Sequence, residues 1–363
     1  MAELNTPLTV GDFEIKNRLV MAPLTRARSG ESRVPNDLMV EYYQQRANAG
    51  LILTEATVIG SKTVGYADTP GLWSQEQAQA WNKIIEAVHA QGSKIVVQLW
   101  HVGRISHSEL LPNNMPPQAP SAIRANAKTF NSKGLVDVSE PKALEIDEIK
   151  ALIKNYAEAT LNAQKAGFDM IEVHAANGYL IDQFLRDKTN HRTDQYGGVI
   201  ENRARFLLEV IDEIIKIYPA NLIGCRISPA STFNDIEDSD PQSLYSYVVS
   251  ELGKRKIAYL HIIEGQTGGP RDANPKVNFA ELKKLFKANG GLNIMANNGY
   301  NKTMAENAIE KNEADLIAFG VPFLANPDLV KRLENNYPLN TPDQKSFYGG
   351  TEKGYTDYPL YSA

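Results

Sequence analysis

The sequence predicts an α/β protein built on a single closed (β/α)8 TIM barrel, with an N-terminal β-hairpin cap and a long loop after the third strand. Three observations lead there: short apolar runs of strand length recur eight times, longer amphipathic segments separate them, and polar side chains gather where the runs end. The runs are Leu19–Met21, Leu51–Thr54, Lys94–Trp100, Met170–His174, Ile223–Ile227, Tyr259–Ile263, Asn293–Ala296 and Leu316–Gly320. Their near-continuous apolar character marks parallel strands covered on both faces. Between them, helical periodicity appears over Gln75–Gln91, Ile146–Ala166, Glu201–Tyr218, Asp240–Arg255, Asn278–Ala288 and Asn301–Lys311. Strand and helix in alternation specify a parallel sheet wrapped by helices, and eight units close a barrel where five or six would leave an open sheet.

A barrel of this kind needs about 250 residues, so this chain of 363 residues carries additions. Leu8–Lys16 alternates around a Gly11-Asp12 turn and reads as a hairpin capping the bottom of the barrel. The stretch from His101 to Leu144 contains Pro112, Pro116, Pro117 and Pro120, and a long connection after a strand is usually a lid or substrate loop. The tail from Phe347 to Tyr361 is rich in aromatic residues and is expected to fold back onto the barrel. Nothing in the composition divides the chain, so residues 1–363 are expected to form one domain.

A formal net charge of −5, with basic residues scattered as in Lys283–Lys284 and Lys254–Arg255–Lys256, argues against nucleic-acid or anionic-membrane partners. The lone cysteine, Cys225, can form neither an internal disulfide nor an iron–sulfur ligand set. No run approaches the ~18 apolar residues of a membrane span, and the first residues lack the basic-then-apolar pattern of a secretory leader. A cytoplasmic location is therefore expected, as is a monomer, with a dimer left open.

In barrels of this class the active site lies at the carboxyl ends of the strands. Those ends offer Pro23, Leu24 and Thr25 after the first strand, Ala56 after the second, and Gln98, Trp100 and His101 on or after the third. They also offer His174, Asn177 and Tyr179 after the fourth, Arg226 on the fifth, Asn297 and Asn298 after the seventh, and Gly320 and Val321 after the eighth. Gln98 and Arg226 interrupt apolar runs, and burying either unpartnered costs several kcal/mol (order of magnitude), so each requires a buried polar partner. A core carboxylate such as Glu172 would satisfy Arg226 without any ligand; its place at a strand end favours a ligand contact. Gln98 alone reads equally well as structural. Continued as a helix, His174-Ala-Ala-Asn177 would put two neutral donors on one face, where they could polarise one substrate oxygen. Tyr179 nearby could supply a proton.

Taken together, these residues resemble the Old Yellow Enzyme family of FMN-dependent ene-reductases, and most nearly its bacterial N-ethylmaleimide reductase and pentaerythritol tetranitrate reductase branch. The matching motifs are Asn17-Arg-Leu-Val-Met-Ala-Pro-Leu-Thr25, Glu41-Tyr-Tyr-Gln-Gln-Arg46, Gln98-Leu-Trp-His-Val-Gly-Arg104 and His174-Ala-Ala-Asn-Gly-Tyr-Leu180. Arg192-Thr-Asp-Gln-Tyr-Gly-Gly198, Glu201-Asn-Arg-Ala-Arg-Phe206, Ala325-Asn-Pro-Asp-Leu329 and Gly354-Tyr-Thr-Asp-Tyr-Pro359 continue it. The resemblance implies that FMN is the cofactor and that NADPH or NADH is a transient reductant, with no metal in the site. It implies ping-pong reduction of enones, maleimides and, in some members, nitro compounds or nitrate esters.

Carried over residue by residue, the resemblance puts Pro23, Leu24, Thr25, Ala56, Gln98 and Arg226 around the flavin ring, with Asn297, Asn298, Gly320 and Val321 at its phosphate. His174 and Asn177 would hold the substrate oxygen, Tyr179 would donate the proton, and Tyr66, Trp100 and Tyr348 would wall the substrate. Relatives with an iron–sulfur cluster and a second reductase domain are excluded by length and by the lone cysteine, and a branch with Cys in place of Thr25 is excluded as well. This chain departs from the pattern at Val321, where close relatives carry an Arg on the phosphate, and in having Lys142 for Arg; Lys302 is a candidate replacement for the missing cation. The chain has no Gly-x-Gly-x-x-Gly after a strand, which fits a nicotinamide that binds only in passing. Two other readings are a flavin-binding protein without this activity and a metal-dependent barrel hydrolase using His101, His174 and His261.

Overall fold

The computed structural model describes residues 3–272 and 276–362. Eight parallel strands run β1 (Leu19–Met21), β2 (Leu51–Leu53), β3 (Lys94–Trp100), β4 (Met170–Ala175), β5 (Ile223–Ile227), β6 (Tyr259–Ile263), β7 (Asn293–Asn297) and β8 (Leu316–Phe319). Each pairs with the next, and β8 returns to β1 through Ile317↔Leu19 and Phe319↔Met21, which closes the ring and removes its edges. The helices between them are α1 (Asp37–Gln45), α2 (Gln75–His89), α3 (Ile146–Ala166), α4 (Ile200–Ile214), α5 (Pro241–Lys254), α6 (Phe279–Ala288), α7 (Lys302–Glu310) and α8 (Leu329–Asn335). Helices α1 and α8 were not among the segments predicted from periodicity. They are short: α1 has nine residues and buries Met39, Tyr42 and Tyr43, and α8 has seven.

Alternation along the strands divides the core in two. Outward residues such as Ile52, Val97, Val173, Cys225 and Ile262 pack against helix residues including Trp81, Tyr156, Phe206 and Leu244. Inward residues Val20, Leu51, Leu53, Val96, Met170, Met295 and Leu316 form an apolar floor with Val10 and Ile15. Those last two belong to the hairpin Leu8–Val10/Phe13–Ile15, which plugs the lower mouth as expected. A Cβ on Gly224 would sit 2.1 Å from the buried Tyr259 ring, so glycine at 224 leaves the room that ring occupies.

Above this floor the inward side chains turn polar: Gln98, Glu172 and His261, then His174, Arg226 and Asn297. The register places Glu172 opposite Gln98, and His174 opposite Arg226, which in turn faces His261. The barrel therefore grades from oil to a buried polar cluster at its carboxyl end.

The long loop after β3 contains more structure than the sequence predicted. A hairpin, Lys128–Asn131 with Gly134–Asp137, stands over the upper mouth and bridges to Tyr66 through Phe130. Its alternating Lys-Thr-Phe-Asn was masked by the surrounding Pro and Asn. The tail docks on the barrel through three buried arginines. Arg26 donates to the carbonyls of Phe347 (2.9 Å) and Gly354 (2.7 Å), and Arg28 to that of Thr351 (3.0 Å). Arg46 reaches the carbonyls of Phe323 (2.9 Å), Leu324 (2.7 Å) and Tyr355 (3.1 Å), with its guanidinium 3.9 Å from the centre of the Tyr42 ring.

Replacing Arg46 by Met would leave those buried carbonyls unpaired and is expected to cost roughly 3 kcal/mol. Denaturant titration followed by far-UV circular dichroism measures this, and an unchanged midpoint would show that the tail is held without Arg46.

Candidate active site

A pocket of about 590 Å³ opens at the carboxyl ends of the strands, within the usual range for small-molecule sites. Pro23, Leu24 and Thr25 form one wall, Asn297, Asn298, Gly320 and Val321 the end between β7 and β8, and Asn177, Tyr179, Arg226 and Tyr348 line it as well. Tyr348 is 63% exposed and Val321 39% exposed, so both stand at the rim. Ala56, Tyr66, Trp100 and His174 pack behind Tyr179. Trp100 meets Tyr179 edge-on at 4.9 Å and stacks on Tyr66 at 5.6 Å; His174 meets Tyr179 at 5.1 Å, and Ala56 lies in the same apolar cluster. Gln98 lies beneath them.

Glu172 settles two of the partner questions. Its carboxylate accepts from Gln98 Nε2 at 2.7 Å and contacts His261 Nδ1 at 2.8 Å. It is not the ion-pair partner of Arg226. Arg226 instead donates Nη2 to Asn297 Oδ1 at 2.9 Å, while Asn297 Nδ2 donates to the Ala318 carbonyl at 2.7 Å. Arg226 Nε is buried with no partner, and among the described residues no carboxylate lies within ion-pair distance of it. Burial lowers its pKa to about 10, so it stays charged at neutral pH.

The His174–Tyr179 cluster is assembled differently from the helical continuation the sequence suggested. β4 runs on through Ala175, and the chain then turns sharply with Asn177 (φ 60°) and Gly178 (φ 72°) both left-handed. A Cβ on Gly178 would come within 2.7 Å of the Phe233 carbonyl. Tyr179 resumes extended backbone ahead of the short helix Leu180–Leu185. The turn is pinned where the Asn177 N–H donates to Ser228 Oγ (2.8 Å) and the Gly178 N–H to Asp182 (2.9 Å).

Hydrogen bonding also sets the polarity of these side chains. His174 Nδ1 accepts the Ala176 N–H at 3.3 Å, which leaves the proton on Nε2. Burial, Arg226 and His261 hold its pKa well below the ordinary histidine value, so the ring is neutral. Thr267 Oγ1 donates to Asn177 Oδ1 at 2.8 Å, leaving the Asn177 amide N–H groups as its donors. The Tyr179 hydroxyl lies 3.2 Å from that of Tyr66, and burial pushes its pKa up to about 12, so it keeps its proton.

Sequence reasoning missed Thr267, Phe233 and Tyr300, which also line the pocket. The signal for Thr267 was the Gly265-Gln-Thr-Gly-Gly-Pro run directly after β6. Lys302 does not supply the missing cation: it bonds Asn336 at 2.8 Å, faces Glu306, and lines a separate cleft. The three histidines of the hydrolase reading are each held by a different partner. His101 contacts Gln118 at 3.3 Å, with its pKa lowered to about 3 by burial, His174 accepts from Ala176, and His261 contacts Glu172.

FMN fits this arrangement on two counts. A reduced flavin carries negative charge on its pyrimidine side, and the unpaired Arg226 is a buried cation in need of such a partner. The end between β7 and β8 is lined largely by backbone at Asn298, Gly299 and Gly320, where barrels of this class commonly bind phosphate.

Comparison with known proteins agrees. Residues 3–340 match the model of the NADH:flavin oxidoreductase / NADH oxidase family. A putative 12-oxophytodienoate reductase 4 from Oryza sativa subsp. japonica is 43% identical over 366 residues, covering 98% of this chain and 93% of the relative. A probable flavin mononucleotide-dependent alkene reductase from Leishmania infantum is 41% identical over 359 residues, covering 98% of this chain and 96% of the relative. The structure of the Old Yellow Enzyme homologue from Zymomonas mobilis superposes with a TM-score of 0.94 at 40% identity, over 99% of this chain and 100% of that one. The chain belongs to the FMN-dependent NADH:flavin oxidoreductases, the Old Yellow Enzyme family.

Proposed function

We propose that this protein reduces the activated C=C bond of small enones and maleimides, with nitro compounds as further acceptors, and that NADPH or NADH and the acceptor occupy one pocket in turn. The observation that carries this reading is the grouping of three neutral side chains: Asn177 and the protonated Tyr179 line the pocket, and His174, with its proton on Nε2, meets the Tyr179 ring at 5.1 Å from behind. FMN, when bound there, supplies the ring that takes up and returns a hydride. The residues supply the rest. His174 and Asn177 bind the acceptor oxygen and stabilise the negative charge that develops on it. Tyr179 delivers a proton to the α-carbon, and its hydrogen-bonding distance to Tyr66 orients the hydroxyl. Trp100 and Tyr66 stack to wall the acceptor side, and Tyr348 at the rim bounds the entrance. Arg226 offers the fixed positive charge that favours the reduced, anionic cofactor.

The direct test is anaerobic NADPH or NADH oxidation by the purified yellow protein with N-ethylmaleimide or 2-cyclohexenone. A yellow protein that oxidises neither nicotinamide in their presence would point to flavin binding without this activity. Tyr179→Phe is expected to leave flavin reduction by nicotinamide intact while slowing alkene reduction about 100-fold or more; stopped-flow spectra separate the two half-reactions, and equal rates in both would remove Tyr179 as the acid. Changing His174 and Asn177 together to Ala should weaken binding of phenol-type ligands, read from their long-wavelength absorbance, by about 100-fold. The neutral His174 and the high pKa of Tyr179 mean that neither group changes protonation near neutrality. The alkene half-reaction should therefore be flat across roughly pH 6 to 9, and a step near the ordinary histidine pKa would show that His174 acts as a cation.

A further inference from the structure

Val321 stands at the rim where a cation for the cofactor phosphate would be expected, and Pro322 beside it has no N–H to donate. We propose that Arg271, on the loop between β6 and α6, supplies the positive charge that holds the FMN phosphate in this chain. Arg271 Nη1 donates to the Asn298 carbonyl at 2.6 Å, and its guanidinium lies 4.1 Å from the centre of the Tyr300 ring. Asn298, Gly299 and Tyr300 all line the pocket. A Cβ on Gly299 would lie 4.0 Å from Arg271 Cδ, so the Arg271 stem runs against the turn that forms the phosphate end.

The segment from Glu264 to Pro270, directly before Arg271, is held by hydrogen bonds. Asn298 Nδ2 donates to the carbonyls of Glu264 (2.7 Å) and Gln266 (3.0 Å), and the Gln266 N–H closes onto the Pro270 carbonyl at 2.9 Å. Gly268 and Gly269 then border the pocket themselves. The local charge is right as well. The Glu264 carboxylate pairs with both Arg271 and Lys283, the latter at 2.6 Å, and accepts from Tyr300 Oη at 2.7 Å. The Glu264 carboxylate thus has two cations against it, Arg271 and Lys283. Lys283 and Tyr300 can satisfy Glu264 on their own, so Arg271 is available to an incoming phosphate, and at 32% exposure its side chain reaches solvent.

The discriminating experiment compares FMN with riboflavin, which lacks only the phosphate. Flavin-free full-length protein is titrated with each, following quenching of flavin fluorescence. Arg271→Ala is expected to weaken FMN binding about 10- to 100-fold and leave riboflavin binding as in the wild type. Arg271→Lys should retain part of the FMN preference, and adding Val321→Arg to the Ala variant should restore it. Equal weakening of both flavins would make Arg271 a brace for its loop and overturn the proposal, as would FMN binding unaffected by the change. A wild-type chain that held neither flavin would overturn the FMN assignment and this proposal with it.

Discussion

A guanidinium buried at the mouth of the barrel without a carboxylate partner is the constraint around which the rest of the site is organised. Arg226 enters the interior because β5 alternates, and Asn297 from β7 holds one of its nitrogens. Its natural neutraliser, Glu172, lies one layer below and is engaged by Gln98 and His261. A buried unpaired cation is costly in isolation. It persists because the closed barrel and its packed helices hold β5 in register, and because an anionic cofactor state can complete the charge balance.

The barrel supplies rigidity, and the loops supply the chemistry. His174 points inward from β4 behind Tyr179, whereas Asn177 and Tyr179 reach the pocket only through a left-handed turn held by Ser228 and Asp182. Thr267, from a loop nearly a hundred residues away, then fixes which end of the Asn177 amide can donate. Glu55 does similar work on the opposite wall. Its carboxylate accepts the N–H groups of Arg26 (3.0 Å) and Ala27 (3.1 Å) and so ties the segment following Thr25 to the end of β2. Arg26 and Arg28 in turn fasten the tail that brings Tyr348 to the rim.

At the pocket end between β7 and β8 the charged Arg271 and Glu264 sit on a loop. Position 321 carries an apolar side chain at the rim, while Arg271 and Lys283 both pair with Glu264. Electrostatic attraction to a dianion depends on the summed field at its site more than on the sequence position of any one charge.

The eight strands were legible because a parallel strand buried on both faces must be apolar nearly throughout, so each run announces itself within a few residues. For the same reason Gln98 and Arg226 stood out as polar interruptions needing partners. The strand ends likewise located Pro23–Thr25, His174, Asn297 and Gly320, since parallel closure carries every carboxyl end to one face. The hairpin within the long loop, the short helices α1 and α8, and the partner of each buried polar group were not legible. They depend on which distant segment lies alongside, as with Glu172 on Gln98, Thr267 on Asn177, and Arg271 beside Asn298. Sequence alone thus determined the order of the elements and the residues exposed at their ends, because both follow from local periodicity. Tertiary structure alone decided charge pairing and the orientation of the Asn177 amide, because these are properties of contacts between residues far apart in the chain.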